Sequence, residues 1–486
     1  MPEYRAPGVY VEETAAVPPA IAPVETAVPV FIGYTAKVWA RGGGRTDRQA
    51  LRVSSFADYA RLFGRAPLHD VSVSVAKRVD ASGKLLGVTV DWAGFDPVPR
   101  HFMAYGAQAY FLNGGTGCFV YSLGRYRAPR RADFLDALET LETVDGPTLL
   151  VMPDAALLDD SDYAAVLDAA LASCARRRDR FLVADVARAV PGETDTETSL
   201  GTSFRSAITG DSTLLRYGAA YFPYLETDLP LRISDPRVQI SGFEIVTVAP
   251  DGSESVMAVP DAAGRSLNDG DLRLRTKEPE VYRAVRTFVR DARATVPPSG
   301  AVAGLYARVD ATQGVWKAPA GAALAAVRQP AVAVDDAFQQ ALNVDPAAGK
   351  SVNAIRVFPG RGTLVWGARS LAGNDSEWRY VNVRRFALFL EQSLTCGLQW
   401  AVFEPNDANI WARLRQAAET FLVGLWRQGA LQGTKPEQAF AVAAGLGSTM
   451  TETDIAAGRI VVQVGFAPLR PAEFILLRIV LRREGS

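Results

Sequence analysis

Residues 118–186 read CFVYSLGRYRAPRRADFLDALETLETVDGPTLLVMPDAALLDDSDYAAVLDAALASCARRRDRFLVADV. Short apolar runs at 118–122, 148–152 and 181–186 are bounded by polar turns. Between them, 131–143 and 161–177 carry apolar residues at helical spacing. The rhythm continues with a helix over 197–209 and a strand over 219–223. Strands alternating with helices predict an α/β fold, a parallel-type sheet core joined by crossover helices.

Upstream, Val30–Tyr34 reads as a buried strand, and Ser54 or Ser55 caps a short helix that Gly64 ends. Residues 71–75 and 85–90 alternate around the turn Asp80–Lys84 and predict an inserted β-hairpin. At the start of the chain, Pro7-Gly8 opens the alternating strand Val9-Tyr10-Val11-Glu12-Glu13, which has one apolar and one polar face. The following Thr14–Pro29 carries four prolines and can form neither helix nor ladder. In polyproline geometry such an arm reaches roughly 45 Å, at about 3.1 Å per residue.

Downstream, Leu229–Leu274 loses helical periodicity and reads as a second β-rich insertion with turns at Asp251-Gly252 and Asn268–Gly270. A helix from Pro279 to about Thr295 follows, broken at Pro297-Pro298-Ser299-Gly300. Val352–Phe358 and Thr363–Ala368 predict strands, and about Asp375 to Cys396 a helix. Asn406 or Asp407 then caps a long amphipathic helix with an apolar stripe of Ile410, Leu414, Ala417, Ala418, Phe421, Leu425 and Trp426, stopped by Gly429. Its opposite stripe, Arg413, Gln416, Thr420, Gly424 and Arg427, is a narrow basic face holding a close-approach glycine. Strands at 439–443 and 460–464 precede Pro468 and Pro471. Beyond them, Ile475, Leu477, Ile479 and Leu481 form an apolar face, with Phe474, Leu476, Arg478 and Val480 on the other. A terminal strand of this kind aggregates unless it is paired, within its own fold or in the sheet of another copy.

The 486 residues are 48% hydrophobic and 22% charged, with 52 basic against 53 acidic side chains. That balance gives no global attraction to nucleic acid or anionic membrane. The basic pairs Arg384-Arg385 and Arg482-Arg483 are too short to track a nucleic acid backbone and read as solvated surface or, for the tail pair, as protection of an edge strand. No signal sequence and no run of spanning length is present, so synthesis and folding in the cytoplasm are expected. Cys118, Cys174 and Cys396 lack metal or disulfide spacing and read as small buried side chains. The two histidines, His69 and His101, sit in no nucleophile or metal motif. Asn113–Gly117 lacks the lysine of a phosphate loop and reads as a tight turn. Asp154 and Asp185 follow predicted strands, where α/β folds place ligands, and together they could hold a magnesium ion; the commoner use of aspartate there is to cap the following helix. No cofactor is expected.

Several stretches resemble the sheath protein of contractile phage tails and contractile injection systems: PGVYVEE at 7–13, FLNGG at 111–115, YGAAYFPYL at 217–225 and AGLYARVDATQGVWKAPAG at 303–321. The series continues with VNAIRVFPGRGTLVWGARSLA at 352–372, SEWRYVNVRRFALFLEQSL at 376–394, WAVFEPNDANIW at 400–411, LWRQGALQG at 425–433 and GFAPLRPAEF at 465–474. The resemblance implies a non-enzymatic subunit that stacks with itself in hexameric rings around an inner tube protein. Baseplate and cap proteins would close the ends, and contraction would drive the tube through a target envelope. It also implies that each subunit lends terminal strands to its neighbours.

The expected organisation is an N-terminal arm (1–29), the start of the core (30–70), the hairpin insertion (71–104), the α/β core (105–227), a β-rich surface insertion (228–275), a C-terminal core facing the tube (276–467) and a C-terminal arm (468–486). Val9, Tyr10, Val11 and Glu12 at one end, and Phe474, Ile475, Leu476, Leu477, Ile479 and Leu481 at the other, are the candidate strand-exchange residues. Arg413 and Arg427 are the candidate tube contacts. Competing readings are a self-assembling shell or surface-layer protein and a metal-dependent α/β enzyme using Asp154 and Asp185.

Overall fold

The computed structural model describes residues 20–38, 49–187, 203–345 and 349–471. Both expected exchange strands and the start of the expected 197–209 helix lie outside these residues. The described chain forms two compact units, one from Glu25 to Arg385, the other combining residues 20–24 with Phe386–Leu469.

In chain order the strands are β1 (Pro29–Thr35), β2 (Leu51–Val53), β3 (Val71–Asp80), β4 (Leu85–Trp92), β5 (Cys118–Arg125) and β6 (Leu149–Val151). Then come β7 (Phe181–Asp185), β8 (Gly218–Phe222), β9 (Leu225–Pro230), β10 (Val238–Val248), β11 (Glu254–Ala258) and β12 (Arg265–Ser266). The last six are β13 (Arg293–Val296), β14 (Val327–Pro330), β15 (Val352–Phe358), β16 (Gly362–Val365), β17 (Phe440–Ala443) and β18 (Gln463–Phe466). Helices of eight residues or more are α1 (Phe56–Phe63), α2 (Met103–Leu112), α3 (Arg131–Leu141), α4 (Asp160–Arg177), α5 (Pro279–Arg290), α6 (Ser299–Gln313), α7 (Asp336–Asn343), α8 (Val381–Gly397) and α9 (Ala408–Arg427).

The first unit is built on a sheet ordered β16-β15-β8-β7-β6-β1-β5-β2. Its six inner strands run parallel, from β15 through to β5. Antiparallel β16 and β2 close the two edges. Strands buried on both faces need continuous apolar runs, and β1, β6, β7 and β8 are buried at every residue.

The two β-rich insertions build one sheet. It runs β11-β10-β3-β4 with β12 on β10, and β3 lies parallel to β10 over Val71–Asp80 and Val238–Val248. Val71, Val73, Val75, Val238, Ile240 and Phe243 make its apolar face, covered by Val281, Val285 and Val289 of α5. A boundary at 275 therefore separates α5 from the sheet it covers.

Other departures have local causes. The helix expected to reach Thr295 stops at Arg290, because Arg293–Val296 pairs with β9 as β13. The prolines that follow do not merely break a helix. Pro298 stands at the N-cap of α6, which is buried from Ser299 to Tyr306. The helix expected from Asp375 begins at Val381, since the Asp375 carboxylate accepts the Glu377 and Trp378 N–H groups in a turn. The strand expected at Thr363–Ala368 ends at Val365, and the strand expected at 460–464 forms at Gln463–Phe466.

In the second unit, Asp407 caps α9 by accepting the Ile410 N–H at 3.0 Å. Ile410, Leu414, Ala417, Ala418 and Leu425 are buried as the stripe requires, with Leu422 beside them, while Phe421 and Trp426 are half-buried. Gly429 follows at φ +77°, where an L side chain would be strained. β17 and β18 form a separate antiparallel pair.

Candidate functional site

Asp154 lies just past β6 and Asp185 ends β7, as the strand pattern requires, and both carboxylates are in the core at 0% and 2% exposure. They cap helices, but not the ones that follow them. Asp154 accepts the N–H groups of Phe102 at 2.5 Å and Met103 at 3.0 Å, at the start of α2, and of Tyr34 at 2.8 Å, in β1. The His101 ring nitrogen stands 3.6 Å away, too far for a hydrogen bond. Asp185 accepts the backbone N–H of Ser299 at 2.7 Å and its hydroxyl at 2.6 Å, at the start of α6. Burial pushes the Asp185 carboxyl up to about 7, against those two bonds, which favour the charged form.

The chain passes from β5 on one side of β1 to β6 on the other, so the crevice past β1 and β6 is the switch point where α/β sheets usually hold ligands. Here the N-terminus of α2 occupies it. The helices α2 and α6 then approach at glycines: a Cβ on Gly300 would lie 2.3 Å from the Gly106 carbonyl oxygen, and one on Gly304 2.4 Å from that of Tyr110. Among the described residues no group of three or more His, Cys, Asp or Glu side chains is placed to hold a metal.

Arg384 and Arg385 are not solvated surface. Both are 4% exposed. Arg385 forks onto Asp310 at 3.0 and 2.5 Å and lies over the Tyr306 ring, whose hydroxyl meets that of Tyr221. Arg384 sits between Tyr217 and Trp378. Their spacing looked like a basic pair because sequence does not show that Asp310 and three aromatics converge there. Trp316, Trp366, Trp378, Trp400, Trp411 and Trp426 are all half-buried. Cys118 and Cys174 are buried, but Cys396 is exposed in the last turn of α8.

In the second unit the two candidate arginines differ. Arg427 is exposed and has no ion pair among the described residues. Arg413 is half-buried, its guanidinium 4.6 Å over the Trp400 ring. Gly424 makes no close approach among them, since a Cβ there would meet nothing within 4 Å. The pair β17–β18 has no further strand on either outer side among the described residues.

A family model described as phage tail sheath C-terminal domain matches residues 373–482. The chain covers 99% of itself and 98% of the sheath of PVC, an extracellular contractile injection system, in the contracted state, at 27% identity and a TM-score of 0.63. This chain belongs to the tail sheath family. The contracted helical sheath of the anti-feeding prophage is similar over 98% of the sheath protein described here and 99% of that chain, at 28% identity and a TM-score of 0.62. A chain of the anti-feeding prophage baseplate matches at 29% identity over 99% of this sheath protein and all of that one, with a TM-score of 0.61. The tail sheath protein of Vibrio phage KVP40 is 26% identical over 136 residues, a match spanning 27% of this chain and 19% of that relative. The sheath protein is thus a structural subunit, with a mixed α/β fold like theirs.

Proposed function

We propose that this sheath protein polymerises into stacked hexameric rings around an inner tube, with baseplate and cap proteins at the ends, and contracts to drive the tube through a target cell envelope. The observation that carries the reading is the β17–β18 pair. A two-stranded sheet is marginal on its own, and among the described residues this one has two open edges, in the unit that contains residues 20–24 and Phe386–Leu469. The chain supplies two strands to fill such edges, Val9–Glu12 and Phe474–Leu481, each on a proline-marked linker. Strand addition makes main-chain bonds that stay in place while the attached bodies rotate. Arg427, exposed at the end of α9, is the better candidate of the two arginines for the tube surface.

Deleting residues 1–13 or 474–486 tests the reading. Each truncated protein should keep the cooperative melt of the core and fail to form hollow cylinders by negative-stain electron microscopy at any concentration. Ordered cylinders from either truncation would rule out strand exchange as the link between subunits.

A further inference from the structure

The stretch that decides the fold also spells RYRAPRR at 125–131, and the first unit gathers further cations around its first arginine. Arg125 is the last residue of β5 and lies beside Thr35 of β1. Just past Thr35, the Lys37 N–H donates to the Phe63 carbonyl at 2.8 Å, at the end of α1. Arg65 comes next after Gly64, and its carbonyl accepts the Tyr126 hydroxyl at 2.8 Å. The Ala66 carbonyl in turn accepts a bond from the Arg232 guanidinium at 3.1 Å, reaching in from just past β9. Lys37, Arg65, Arg125 and Arg232 thus stand together at the carboxyl edge of the parallel sheet, where the ends of β1, α1, β5 and β9 meet.

All four side chains are exposed, and among the described residues none has an ion pair. The ion pairs around them do not restore the balance. Asp133 takes both Arg127 and Arg130, and Asp70 takes both Arg100 and Arg237, so each of these acids is shared by two cations. Arg131 has Asp162 at 3.1 Å. Asp154, in the core, is spent on three backbone N–H groups. Cations held together without counter-charge repel one another, and an anionic partner relieves that repulsion.

The charge of the whole chain says where such a partner is found. With 52 basic against 53 acidic side chains, a positive surface here leaves the rest of the molecule negative. A second copy therefore carries the carboxylates that this surface lacks. Nucleic acid fits it less well. Single strands stack their bases on open aromatic faces, whereas Tyr105 is 2% exposed and the Tyr126 ring lies against that of His101, with centroids 4.9 Å apart.

We propose that this basic surface is an interface between copies of the chain, taking exposed carboxylates of a second copy. The proposal rests on the polymerisation reading. Strand addition links subunits through main-chain bonds that carry no net charge, so it gives neither salt dependence nor steering; a charged contact between the bodies supplies both.

The test compares the full chain as wild type, R65E/R125E and R65Q/R125Q. Neither arginine side chain bonds to another described residue, so thermal melts of the unassembled proteins should coincide. The readout is the lowest protein concentration at which cylinders sediment and appear by electron microscopy, in low and in high sodium chloride. At low salt the charge reversal should raise that concentration at least about tenfold and the glutamine pair about threefold. High salt should raise it for wild type and leave the reversed variant nearly unmoved. A carbodiimide condenses an amine with a carboxylate, with loss of water, and Lys37 is the one amine among the four cations. In cylinders built from mixed unlabelled and heavy-isotope-labelled chains, it should join Lys37 to a carboxylate in peptides that are half light and half heavy. Wild-type assembly by R65E/R125E, or Lys37 links confined to single chains, overturns the proposal. If the 1–13 deletion abolishes cylinders and R65E/R125E does not, strand exchange stands and only this surface falls; if wild type itself forms none, both readings fall. A reversed variant that assembles normally but loses a wild-type affinity for double-stranded DNA would reassign the surface to nucleic acid.

Discussion

Replacing Asp185 by asparagine separates the charge of a core carboxylate from its geometry. The asparagine oxygen can still accept the Ser299 N–H, and its amide can donate to the Ser299 hydroxyl, so the cap on α6 survives. In the wild type, burial raises the Asp185 carboxyl from 3.8 to about 7. The folded chain thus keeps a proton that the unfolded chain releases near pH 4. Stability from this group is fully present below the unfolded value and is lost as pH rises through the folded one. A shift of about three units is worth about 4 kcal/mol at most. Between pH 5 and 8 the loss should be about 2–3 kcal/mol. Carboxylates held below their usual range, such as Asp133 with Arg127 and Tyr34, act with the opposite sign and at lower pH, outside this window. Urea unfolding of the unassembled protein at pH 5, 6, 7 and 8 measures the slope. Wild type should lose stability across the series, and D185N should be nearly flat there. Parallel profiles would show that Asp185 titrates in its ordinary range and that water reaches it.

Two further perturbations probe the same unit. Gly300→Ala drives a Cβ into backbone, 2.3 Å from the Gly106 carbonyl oxygen, where no rotamer change relieves it; a loss of about 1–3 kcal/mol is expected, and an unchanged melting temperature would mean that α2 and α6 are free to separate. Asp310→Asn leaves the Arg385 guanidinium at 4% exposure without its counter-charge; about 3–5 kcal/mol should be lost in denaturant titrations, whereas under 1 kcal/mol would show the pair to be hydrated.

The parallel sheet was legible because its strands are buried on both faces and therefore spelled as unbroken apolar runs, as in Phe181–Asp185. α9 was legible for the complementary reason: one face is polar, so its period shows. α6 fails both tests. Its first eight residues are buried all round, and Gly300, Ala301, Ala303 and Gly304 are chosen for close packing rather than for a stripe, so only the prolines before it stood out. The aspartates could be placed at strand ends, yet their partners could not, because Phe102 precedes Asp154 by 52 residues and Ser299 follows Asp185 by 114. Arg384 and Arg385 misled for a similar reason, since a buried cation is recognised by its counter-charge and not by its neighbours in sequence. Arg413 was marked by its place on α9, but the Trp400 ring beneath it was not.

The joint insertion sheet also imposes an order of events during synthesis. β4 ends at Trp92 and β10 starts at Val238, 146 residues later (238 minus 92). At about 5–20 residues per second, the β3–β4 hairpin waits roughly 7–30 s on the ribosome for the strand that runs beside it. Throughout that interval Val71, Val73 and Val75 lack both β10 and the α5 cover that bury them in the finished protein. The hairpin is thus open to a chaperone for that whole interval, and slowing translation between residues 92 and 238 would lengthen its exposure in direct proportion.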